Sequence, residues 1–469
     1  MSFNPFNEKP EKLTSFDNWK QLNSKPYDKN ATDPYTKVRI ILMNGTEFEA
    51  QWFLHNMARH ITDEELRREI SVVRRIEQQQ QKKISTLKPK DESILETTIA
   101  YEQLAVDLTA LMAQCEPDEY VRKSLDFALL EDFDHLYRYA DLLEMDMGIR
   151  AERLVGKYTE IMPGRPTIAE HRFPMDDVKR RIQSAKASPL TKLHTMIITA
   201  AEQQTMNYYM NQGAFYELSE VGRKLYTEIA MIEEQHVSLY ESLTDSSLTW
   251  LECMLMHEYT ECYLYYSMMK DECDEYVKQL WERNLRQEIA HLHNAARLLR
   301  KYEHKEWQEL IPDGNFPELI SFSTMSDNNK AYIRKVLKNT VTQTADRDTW
   351  VDINRVPDTS EFFRYNRKVN GTESAVASHK VIDRFIMESG EDYRFQEGEH
   401  PVKSLRDRSC DNVNIGRVKN AEQAGCVKPE KKAGAKSMGA KVASAKTTSA
   451  RSACGRTAGA KGAKSTKKN

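Results

Sequence analysis

Three times in this chain a glutamate is followed, some thirty residues later, by an acidic residue and then, three positions on, by a histidine. Glu102 precedes Asp132-Phe133-Asp134-His135, Glu202 precedes Glu233-Glu234-Gln235-His236, and Glu258 precedes Glu288-Ile289-Ala290-His291. The offset from the lone glutamate to the acid is thirty in the outer copies and thirty-one in the central one. Residues three apart share a helix face, so each acid-x-x-His pair can point at one ion while the lone glutamate reaches it from a neighbouring helix. The pattern predicts three helical hairpins, each a carboxylate facing an acid-histidine pair.

Chance does not account for the pattern. Acidic residues are 71 of 469, so about two of the 12 histidines would carry an acid at that offset at random. Four do, and the fourth, Glu397 before His400, has Arg367 and Asn366 where the partner glutamate should stand. For a single copy, a solvated carboxylate and a hydrogen-bonded histidine are the simpler reading. For three copies, buried carboxylates facing one another would repel without a cation.

The chain reads as all-α, and its segments differ sharply. Residues 1–45 are polar and rich in Pro and Asn, with one strand-like run at Val38 to Met43, and read as an arm. Residues 46–91 carry two accessory helices, begun at Thr46 with Glu49 and Thr62 with Glu65, each fitting the capping box. His55 and His60 there read as packing or surface residues. The first two hairpins occupy 92–245, joined by a Pro-containing connection at 149–187. In that connection, Glu170-His171-Arg172 could line a site but reads first as loop surface. The third hairpin follows at 246–303, then a helical segment at 304–346 and a weakly periodic linker at 347–427.

Lys428 to Asn469 is a different material, with 12 Lys/Arg and one Glu, about +11, against about −14 for the body. Small residues with a cation at every fifth position cannot bury a core, so this tail should be disordered when free. The seven cysteines form no Cys-x-x-Cys, which excludes a zinc ribbon or a rubredoxin-like module and suggests reduced thiols. No apolar run approaches a membrane span and no signal segment opens the chain, so a cytoplasmic setting without membrane contact is expected, nucleoid-associated if the tail binds DNA.

Mixed carboxylate and imidazole ligands suit iron and manganese. With these residues the three hairpins resemble half-sites of the ferritin-like superfamily, especially its rubrerythrin-like branch, over roughly 92 to 303. The resemblance implies a four-helix bundle with two iron ions, or manganese, per site. Because only the 149–187 connection is long enough for the bundle's crossover, the principal site is expected from Glu102, Asp132, His135, Glu202, Glu233 and His236. His135 and His236 would each hold one metal, Glu102 and Glu202 would cap, and Asp132 and Glu233 would bridge. Asp132 departs from the family's usual Glu, and Glu131 could substitute. The third hairpin, with Glu258, Glu261, Glu288 and His291, is expected to be a remnant, to pair with its copy in a dimer, or to compete as a partner of the second hairpin. Tyr101, Tyr139, Tyr209, Tyr240 and Tyr259 read as packing.

By resemblance, the activity implied is reduction of peroxide or dioxygen, or oxidation of ferrous iron, with a separate electron donor. Hydroxylation of an unknown substrate ranks second. The tail resembles those of histone H1-like proteins, which bind DNA without reading sequence. A DNA-associated helical scaffold with vestigial metal sites is the non-enzymatic alternative.

Overall fold

Each long helix starts on a side chain that satisfies its first free amides. In the computed structural model, which describes residues 3–340, 342–373 and 376–389, Asp33 caps α1 (Pro34–His60) by accepting from the Tyr35 amide, with Pro34 at the first turn. Asp63 caps α2 (Glu64–Ser85), and a Ser93/Glu96 capping box opens α3 (Ile94–Cys115). Asp118 caps α4 (Glu119–Met147), which stops at Gly148 in the left-handed region at φ 65°. Two one-turn helices, α5 (Glu152–Val155) and α6 (Thr167–Glu170), interrupt the crossover. Then come α7 (Pro189–Phe215), α8 (Glu220–Leu243), α9 (Trp250–Asp271) and α10 (Glu275–Glu303). Among the described residues the chain ends with α11 (Phe322–Thr340), the two-stranded hairpin β1 (Gln343–Asp346) and β2 (Thr349–Asp352), α12 (Glu361–Asn370) and α13 (Ala377–Ser389). The fold is all-α but for that hairpin.

The helices reveal an internal repeat. A shift of 156 residues carries α3 onto α9, α4 onto α10 and the left-handed Gly148 onto the left-handed His304, and a shift of 155 carries α1 onto α7. Thus α1 to α4 form one repeat and α7 to α10 the other. Neither repeat closes on itself. The α3–α4 hairpin packs on α7–α8, while α1–α2 packs on α9–α10, so each four-helix bundle takes one hairpin from each repeat. The bundles meet where α1 lies against α3 and α7. There Gly45 permits close approach, since a Cβ would run into the Gln204 side chain, which donates from Nε2 to the Ile41 carbonyl at 2.7 Å.

Several expectations need correction. The arm ends at residue 33, not 45, and the strand-like run Val38 to Met43 is buried helix, because both faces of α1 are covered by neighbours. Thr46 does not start a helix; inside α1, its hydroxyl donates back to the Leu42 carbonyl. Thr62 yields the cap to Asp63, whose carboxylate reaches the Leu66 amide at 2.7 Å. The third hairpin is neither a remnant, a dimer half nor a partner of the second: the turn at 245–247 carries the chain out of one bundle into the other, where α9–α10 meets the supposed accessory helices. The linker is folded as far as Ser389, with β2, α12 and α13. Its remainder, Glu397 with His400, and the basic tail lie outside the described residues.

Candidate metal centres

In the bundle of α3, α4, α7 and α8, the heptad-like faces turn six polar side chains inward at one level. Glu102, Asp132, His135, Glu202, Glu233 and His236 are at most 1% exposed. Their ligand atoms fall into two adjoining groups, Asp132/Glu202/Glu233/His236 and Glu102/His135/Glu233. Glu233 belongs to both. Its Oε1 is 2.9 Å from His135 Nδ1 and its Oε2 is 3.3 Å from His236 Nδ1. Asp132 faces only the His236 side, at 3.1 Å, as its shorter side chain would dictate.

The donor set fits cations. Both oxygens of Asp132 and of Glu202, Glu102 Oε2, Glu233 Oε2 and His236 Nδ1 are buried without a hydrogen-bond partner, an arrangement that is costly unless a positive charge satisfies it. Burial, with the neighbouring acids, pushes Glu102 and Glu202 well above the usual carboxylate range. Burial acts on Glu233 too, but the hydrogen bond from His135 and the nearness of both imidazoles outweigh it and hold it low. The surrounding carboxylates likewise raise His135 and His236 well above the usual histidine range, against the cost of burial.

The crossover supplies what the sequence did not announce. Glu170, expected on a loop surface, is fully buried, with Oε2 3.2 Å from His135 Nε2. Glu131 is not a substitute ligand: its Oε2 accepts from His236 Nε2 at 2.6 Å, and its Oε1 accepts from Arg165 at 3.1 Å and Arg172 at 2.6 Å. Burial opposes its ionisation, but Arg172, His236 and Arg165 together hold it down at about 2. Each histidine thus presents Nδ1 to the cluster while a carboxylate holds Nε2, the arrangement that fixes tautomer and orientation in histidine metal ligands. Gly164 lets this segment lie on α4, since a Cβ would collide with the Leu130 carbonyl. Of the tyrosines read as packing, Tyr209 also donates to Glu102 Oε1, while the Tyr139 and Tyr240 hydroxyls are buried without partners.

A second cluster occupies the other bundle. Glu258, Glu261, Glu288 and His291 meet Glu47 of α1 and Glu77 of α2 in the groups Glu77/Glu258/Glu288/His291 and Glu47/Glu77/Glu261, with Glu77 shared. His291 Nδ1 is 2.8 Å from Glu77, 3.1 Å from Glu288 and 3.7 Å from Glu258. Sequence reasoning missed Glu47 and Glu77 because Gln80 stands where the histidine was required. The thirty-residue offset alone, Glu47 to Glu77, was the signal.

Fold and clusters define a class: an all-α protein with two buried carboxylate–histidine clusters, each able to hold metal. No helix among the described residues is long and apolar enough to cross a membrane. Comparison with protein families, curated proteins and solved structures finds no match for this chain.

Proposed function

We propose that the first cluster is a dinuclear iron or manganese centre of the ferritin-like kind, and that the protein is an oxidoreductase that reduces peroxide or dioxygen or oxidises ferrous iron. The observation that carries this reading is Glu233 lying between two histidines of opposite hairpins, each histidine also backed by a carboxylate from behind. Two metals in that set would supply two electrons to an oxidant by cycling between divalent and trivalent states. The chain's own residues divide the remaining work. His135 and His236, whose ring centres lie 5.8 Å apart, would each hold one metal. Glu131 and Glu170 keep the Nε2 atoms engaged, and Arg165 and Arg172 leave Glu131 ionised against the cluster's own charge.

A small oxidant fits better than a bulky organic substrate. The six residues of the first cluster are closed off from solvent, and a separate cavity of about 260 Å³ between the bundles is lined by Gln203, Thr199 and His257, among others. The test is anaerobic loading with ferrous or manganous ion, then addition of hydrogen peroxide or dioxygen, on the wild type and His236→Ala. Oxidant-dependent optical change with oxidant consumption in the wild type, lost in His236→Ala, is expected; a metal-loaded wild type inert to both oxidants would sink the reading.

A further inference from the structure

The two clusters correspond position for position, and one correspondence breaks. Under the internal repeat, Glu258, Glu288 and His291 take the places of Glu102, Asp132 and His135, while Glu47 and Glu77 take those of Glu202 and Glu233. His236, however, maps onto Gln80, whose amide donates to the cluster's own Glu288 Oε1 instead of offering a ring nitrogen. The vacated coordination is taken by a residue without a counterpart. Glu261, which maps onto Ala105, closes on Glu47 and Glu77.

One half of the second cluster therefore resembles its counterpart, with a histidine among carboxylates. The other half is three carboxylates and no nitrogen. All three are fully buried, and both oxygens of Glu261, both of Glu77 and Oε2 of Glu47 lack hydrogen-bond partners. Removing imidazole and adding carboxylate weakens discrimination in favour of iron and zinc and suits harder ions such as manganese, magnesium and calcium. We infer that the second cluster is a two-cation site with unequal positions, and that Glu47, Glu77 and Glu261 hold a hard divalent cation, manganous in type. A buried site also needs an approach. The cavity between the bundles ends on Glu49 and His257, and His257 Nδ1 lies 3.6 Å from Glu261 Oε2.

The inference borrows from the proposed function only the reading of the first cluster as an iron or manganese centre, and the two are separable because Glu77 belongs to the second cluster alone and His236 to the first alone. Full-length protein is loaded anaerobically with equal ferrous and manganous ion, freed of excess, and analysed for both metals, with Mn²⁺ spectra recorded by electron paramagnetic resonance. Bound manganese is expected in the wild type. Glu261→His, which restores the donor set of the first cluster, should lower the manganese-to-iron ratio, and Glu77→Gln should abolish manganese retention. Glu77→Gln keeps the size of a side chain whose oxygens lack hydrogen-bond partners, so the metal-free variant should melt close to the wild type, which separates a lost site from a lost fold. A wild type that retains iron alone, or a ratio unmoved by Glu261→His in a folded variant, overturns the inference. Manganese bound by the wild type and lost in Glu77→Gln, with iron and manganese contents both unchanged in His236→Ala, would count against the proposed function and leave this inference standing.

Discussion

At the level of single residues, the first cluster is organised from outside as much as from within. Glu131 and Glu170 touch only the far nitrogens of His236 and His135, yet they decide which nitrogen faces inward. Glu131→Gln or Glu170→Gln should lower metal affinity at this cluster by about 10–100-fold, the range for carboxylates behind histidine ligands. Chelator competition would measure it, and unchanged affinity would remove the orienting role. Glu131 could be placed near the site from its position beside Asp132, but its partners could not, because Arg165 and Arg172 lie in a stretch with no periodicity. Glu170 was legible as a residue type and misread as surface, since nothing in a proline-rich connection signals that it will be buried.

At the level of elements, the crossover 148–188 distinguishes the bundles, because it lies on the first and brings the arginines and Glu170 to it. Its contact with α4 depends on Gly164, where the Arg165 amide donates to the Leu130 carbonyl at 2.9 Å. Gly164→Ala should destabilise the protein by about 1–3 kcal/mol, as overpacking does, and should weaken metal binding at the first cluster but not the second. Thermal melts and separate metal counts check both parts; equal loss at the two clusters would show that the segment supports the whole core instead. The hairpins themselves were legible, because acids and histidines at three-residue and thirty-residue offsets demand helices of a set length. The first helix of the repeat was not, since α1 is buried on nearly every side over residues 35–43 and its apolar run has no helical stripe.

At the level of the whole molecule, charge sets the pH response. Burial, and then neighbouring acids, raise Glu47, Glu77, Glu258 and Glu261 well above their ordinary range. Such acids bind more protons folded than unfolded, so their contribution falls as pH rises. Nearby carboxylates raise His257 and His291 to about 9 against the cost of burial, Glu49 first for His257 and Glu288 first for His291. That contribution is complete below the ordinary histidine value and is lost as pH passes through about 9. Lys179, pushed down to about 7 by burial and then by Arg172, works in the opposite direction, as do Lys88 and Lys192, both lowered by burial, but these are fewer than the raised acids and histidines. The metal-free protein should therefore lose stability between about pH 6.5 and 9, and loading with metal should flatten that slope. Denaturant titrations at several pH values test this, and a metal-free protein most stable at the alkaline end would contradict it. The basic tail supports a separate proposal, non-specific DNA binding. Affinity should fall steeply with salt and vanish when 428–469 is removed; salt-insensitive binding, or binding unchanged by truncation, would end it.

The sequence by itself determined that the chain is helical, that its helices come in hairpins of fixed length, and that the acids and histidines of the three repeated copies share inward faces, because those properties follow from spacing along one helix. Tertiary structure alone decided which hairpins pair. Two repeats exchange hairpins, so residues 47 and 291, at opposite ends of the helical body, share one cluster. No local pattern carries that information, because both the exchanged and the unexchanged arrangement bury the same faces. The difference lies in the connections, and in which interior each helix finally meets.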